Sequence, residues 1–78
     1  MSAAKAVCWR GYVTLNGRTT LQLEVFRNKR ATNGRRLWAL YRTSNHSRDN
    51  FVDVYDAMAC GSRLNPKIEW RKEMMEAL

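Results

Sequence analysis

Ala6-Val7-Cys8-Trp9-Arg10-Gly11-Tyr12-Val13-Thr14-Leu15-Asn16-Gly17-Arg18-Thr19-Thr20-Leu21-Gln22-Leu23-Glu24-Val25-Phe26-Arg27 reads as two strands joined by a tight turn. Val7, Trp9, Val13 and Leu15 fall on odd positions, Arg10 and Thr14 on even ones. After the turn Leu21, Leu23 and Val25 alternate with Thr20, Gln22 and Glu24. A period of two turns one apolar face of each strand toward a core. Asn16-Gly17 is a hairpin signal, but a two-residue loop sets Leu15 opposite Arg18 and pairs odd positions with even ones. The two apolar faces would then point opposite ways. A three-residue loop, Leu15-Asn16-Gly17 with Gly17 left-handed as a bulge residue, instead pairs Trp9 with Leu23 and Val7 with Val25, and is the arrangement the pattern predicts.

Beyond this hairpin, Thr32-Asn33-Gly34 marks a second turn, and Arg36-Leu37-Trp38-Ala39-Leu40-Tyr41-Arg42 forms a third strand that can face either way. Asn28 to Arg35 is polar and basic, so the second hairpin projects as an arm from Arg27 to Arg36. Thr43 to Asn50 reads as a loop in which Ser47 or Asp49 caps a helix over about 49–60, with Phe51, Val54, Tyr55 and Met58 at helical spacing and Gly61 at its end. Asn65-Pro66 opens a second helix over about 66–77 that presents Ile68, Trp70, Met74, Met75 and Leu78. The predicted fold is α+β: a three-stranded antiparallel meander over about 6–43, then two C-terminal helices packed on one face (βββαα). At 78 residues the chain, 1–78, makes one small domain.

Charge is divided unevenly along the chain. Residues 1–48 hold ten Lys and Arg side chains against Glu24 alone, a balance of +9, whereas residues 49–78 hold four against six acidic ones, a balance of −2. Together these give the net +7. Such asymmetry produces a directional field that attracts a polyanion. Arginine dominates the basic set, and its planar fork suits phosphate oxygens or a guanine edge.

No motif points to catalysis. The four glycines are widely separated, which excludes a phosphate-cradling loop. His46 lies near Ser44, Ser47 and Asp49, but proximity in sequence is not triad geometry. Asp49, Asp53 and Asp56 fall at i, i+4 and i+7, the spacing of a solvated face near a helix N-terminus. Cys8 and Cys60 are far apart and His46 is the one imidazole, so neither a metal nor any other cofactor is implied and both thiols are expected reduced. No apolar stretch approaches the roughly 20 residues that span a bilayer, and no secretory signal is present, which predicts an intracellular, cytoplasmic protein without a membrane partner.

Two functions follow. In the first, the chain is a small basic non-enzymatic protein that binds nucleic acid, DNA or RNA. Arg27, Lys29, Arg30, Arg35 and Arg36 of the arm neutralise phosphates and Arg10, Arg18, Arg42 and Arg48 extend the footprint. Trp9, Trp38 and Tyr41 lie on predicted strands among basic residues, an arrangement by which a sheet stacks unpaired bases, although Trp9 and one of Trp38 or Tyr41 also suit the core. Tyr12 and Phe26 share the strand face of Arg10 as an exposed aromatic pair. In the second, it is a compact inhibitor or adaptor of the kind that phages and mobile elements encode. Its basic face would cover an acidic surface of a host protein or nucleoprotein complex, or a strand edge would be added to the partner. Trp70, Met74, Met75 and Leu78 on the last helix form the partner interface, through which a homodimer would double the basic surface.

Overall fold

The computed structural model describes residues 5–28 and 37–76, with side chains described over 7–28 and 37–74. Its elements are β1 (Lys5–Leu15), β2 (Arg18–Arg27), β3 (Trp38–Arg42), β4 (Arg48–Phe51), α1 (Val54–Leu64) and β5 (Glu69–Glu76). The strands form one antiparallel sheet in the order β4-β3-β2-β1-β5. Among the described residues the fold is therefore a five-stranded sheet with a single helix, not three strands followed by two helices. Between β4 at one edge and β5 at the other, α1 carries the chain across the sheet and packs on β2, β3 and β4.

Three local departures from the sequence reading produce this result. The first hairpin uses the two-residue turn after all. Asn16 and Gly17 both have positive φ, 52° and 77°, and Leu15 pairs with Arg18. That is the left-handed backbone such a turn requires. The facing conflict is removed further along, where the pairing steps from Tyr12↔Leu21 to Gly11↔Leu23 and leaves Gln22 as an extra residue. This bulge restores odd-with-odd pairing, so Trp9 meets Val25 and both apolar faces point the same way. The bulged strand is tied down by Thr43, whose hydroxyl donates to the carbonyls of Leu21 and Gln22.

The first predicted helix begins too early. Arg48–Phe51 is β4, paired with β3 so that Trp38 meets Phe51, and the N-cap is Asp53, which accepts from the amide of Tyr55 at 2.9 Å. Gly61 lies inside α1, and together with Ala57 it forms the helix's buried stripe, while Tyr55 is 71% exposed. Small residues there let the helix settle close to Leu23, Val25 and Leu40, the center of the core.

The second predicted helix is a strand. Asn65 is extended (φ −146°, ψ 104°), as a residue before proline prefers. It closes a turn around Pro66 by accepting Lys67 N on its side chain and Ile68 N on its carbonyl. Ile68 and Trp70 then pack on the core, Lys72 and Met74 continue the same side, and Glu69, Arg71 and Glu73 take the other, in strand alternation.

Trp70 is the piece that joins sheet to helix. A Cβ on Gly61 would stand 2.7 Å from its ring carbon Cζ2, and one on Gly11 would stand 3.2 Å from Cζ3 and 2.9 Å from Ile68 Cγ2. The indole thus fills a slot that only two glycines leave open, and its Nε1 donates to Ser62 Oγ at 3.0 Å. Alanine is the better helix former by about 1 kcal/mol, yet Gly61→Ala is expected to destabilise the fold by about 1–3 kcal/mol through overpacking. Urea denaturation measures this; a variant as stable as the parent would mean that the indole is free to shift.

Candidate nucleic-acid interface

Strand alternation puts a second set of side chains on the face opposite α1: Arg10 and Tyr12 from β1, Glu24 and Phe26 from β2, Tyr41 from β3, Arg48 from β4, and Arg71 and Glu73 from β5. At its middle, Arg10 Nη1 donates to Glu73 Oε1 at 2.8 Å and Nε to Glu24 Oε2 at 3.1 Å. Tyr12 donates its hydroxyl to Glu73 Oε2 at 2.7 Å. One arginine thereby clamps three adjacent strands. The carboxylates hold the Arg10 guanidinium charged, Glu73 ahead of Glu24. Tyr12 and Arg10 lower the pKa of Glu73, and the bond to Glu73 raises that of Tyr12. Cys8 is fully buried on this face, and burial pushes its thiol pKa up, away from reactivity.

Two further arginines lie on aromatic rings. The Arg48 guanidinium stands 5.3 Å from the ring center of Phe26 and 5.9 Å from that of Tyr41, and Arg71 stands 4.7 Å from that of Tyr12. These are cation–π distances. Both arginines are exposed, and neither makes an ion pair among the described residues. The Tyr41 hydroxyl is hydrogen-bonded to Nδ1 of His46, a residue with φ 57° in the turn before β4. Tyr41, one of the base-stacking candidates of the sequence, lies on this face, whereas Trp9 and Trp38 pack against the core. His46 and Arg71 were not singled out as binding residues by sequence, Arg71 because its segment reads as a helix.

The other sequence candidates are dispersed. Arg18 and Arg27 are exposed at opposite ends of β2. Arg42 belongs to the helix side of the sheet, with Nη2 3.6 Å from Asp49. Tyr12 and Phe26 share a face with Arg10, but each is half-buried and stacked under its own arginine. Trp70 packs on the core, Met74 is 54% exposed on the same side of β5, and so these two form a strand row and not a helical interface. Lys29, Arg30, Arg35, Arg36, Leu78 and the side chain of Met75 lie outside the described residues. Asp49, Asp53 and Asp56 sit on β4, at the N-cap and in the first turn of α1, so they share no helical face. Among the described residues no group of three His, Cys, Asp or Glu side chains gathers to hold a metal, and no helix is long and apolar enough to cross a membrane.

Among the described residues charge on the open face is balanced, since Glu24, Glu69 and Glu73 match Arg10, Arg48 and Arg71. What the face offers is exposed guanidinium over aromatic rings, a surface for flat groups more than a pool of positive charge. Comparison with known protein families, characterised proteins and solved structures finds no match.

The Glu73 contacts set an acid limit. Folding lowers its pKa below the ordinary 4.5, so the stability it contributes is present above that value and lost as pH falls through the lower folded one. Glu73→Gln is expected to lower stability at neutral pH and to flatten the decline below about 4.5. Denaturation midpoints between pH 3 and 7 check this, and parallel profiles for the two proteins would contradict it.

Proposed function

We propose that this protein is a small non-enzymatic nucleic-acid-binding domain that lays single-stranded DNA or RNA across its open sheet face. The observation that carries this reading is the pair of exposed arginine–aromatic stacks, Arg48 with Phe26 and Tyr41, and Arg71 with Tyr12. Unpaired bases stack on such platforms regardless of sequence, because every base has a π-face. Duplex grooves do not present bases to a flat sheet in that way, so single strands are favoured.

In this reading the phosphates run toward the basic side of the molecule. Arg27 ends β2 where the Arg-rich segment from Arg27 to Arg36 begins, and Arg18 adds charge at the other end of that strand. Arg10 stays in its clamp, where Glu24 and Glu73 occupy it, and acts by fixing the face and not by touching phosphate. The protein would work in the cytoplasm, where Cys8 and Cys60 remain free thiols. A second reading, a protein inhibitor or adaptor, is favoured by one observation: among the described residues the outer side of β5 carries no further strand.

Affinity for a single-stranded oligonucleotide, followed by fluorescence anisotropy, is expected to fall steeply between 50 and 200 mM salt, with a log–log slope of about −0.7 per phosphate neutralised. Tyr41→Ala or Arg48→Ala is expected to cost about 1–3 kcal/mol of binding while leaving the fold intact. Absence of binding at low salt, or binding by both variants as tight as the parent's, would overturn the reading.

A further inference from the structure

The two edges of the sheet differ. β4 is an edge of four residues, whereas β5 is an edge of eight whose outer backbone meets no strand among the described residues. An exposed edge of that length is a template for another strand. On the helix side α1 covers β2, β3 and β4, and beyond it lie exposed Lys72 and Met74. Met74 is thus a large apolar side chain at the rim of an unpaired edge.

Side chains along β5 are complementary to the same strand run backwards. In an antiparallel pair, opposed residues share a face. A two-fold axis through Lys72 therefore sets Arg71 against Glu73 of a second copy on the open face, and Trp70 against Met74 on the helix side, each twice. Arg71 lacks a carboxylate partner among the described residues, and a methionine against an indole is a favourable contact. Neighbouring registers are worse. An axis at Arg71 opposes it to itself and Glu69 to Glu73; an axis at Glu73 opposes that carboxylate to itself. The remaining like-charged meeting, Lys72 with its copy, involves long exposed side chains that diverge into solvent and are screened by salt.

We infer that the chain forms a homodimer by antiparallel pairing of two β5 edges about Lys72, joining the two five-stranded sheets into one with a continuous open face. The pairing engages Arg71, one of the two stacked arginines of the open face, but it does not rest on what that face binds.

Sedimentation of the full chain is expected to show a concentration-dependent dimer. Met74→Lys, at a side chain exposed in the single copy, is expected to weaken it by about tenfold or more, since the two-fold axis counts each cross-strand loss twice. In a Cys60→Ala background, Lys72→Cys is expected to give a disulfide-linked dimer on mild oxidation, because directly opposed residues have Cα atoms about 4.5–5.5 Å apart. Glu69→Cys, three positions from the axis, is expected not to link. A monomer at all concentrations, including one that captures a different protein, overturns the inference. So does Glu69→Cys cross-linking as readily as Lys72→Cys. Circular dichroism of each variant verifies that the fold persists.

Discussion

The fold depends on the fit of one indole between two glycines. Trp70 comes from the last strand, Gly11 from the first and Gly61 from the helix, so a single contact draws together the beginning, middle and end of the described chain. Because α1 must cross the sheet from β4 to reach β5, its height above the strands is set where Gly61 meets that ring. Ala57 and Gly61 allow the close approach, and Leu23, Val25 and Leu40 fill the space beneath. With the helix committed to this side, the opposite face is left uncovered by any helix among the described residues.

On that opposite face, order comes from polar contacts in place of a second apolar layer. Arg10 bridges Glu24 and Glu73, and Glu73 also holds Tyr12, so β1, β2 and β5 are cross-linked by charge-assisted bonds that remain half exposed. The clamp occupies the most central arginine and fixes the position of Tyr12, and it leaves Arg48 and Arg71 lying on their rings without a carboxylate partner among the described residues.

The first two strands were legible in sequence, because Leu21, Leu23 and Val25 alternate without interruption. Their turn was not, since a bulge at Gln22, which no residue type announces, corrects the facing that Asn16-Gly17 alone would give wrongly. The helix was shifted because its buried stripe is made of Ala57 and Gly61, too small to register in a pattern that favours Phe51 and Tyr55. The last strand was mistaken because Trp70 and Met74 are four apart, a spacing that fits both two residues per repeat and 3.6. Ile68, two before Trp70, was the discriminating residue. Among the described residues the charge of the first 48 does not gather on one face: Arg10 and Arg42 are engaged with carboxylates, and the stacked pair Arg71–Tyr12 draws its arginine from the acidic part of the chain, while Lys29, Arg30, Arg35 and Arg36 lie outside the described residues.

The central functional claim is that the uncovered sheet face, not the helix, receives the ligand. Heteronuclear spectra of the labelled protein titrated with a short single-stranded oligonucleotide test it most directly. Binding on that face requires shifts clustered at Tyr12, Phe26, Tyr41, Arg48 and Arg71, with Val54 to Leu64 little changed. Shifts confined to α1, or none at any concentration, would contradict it.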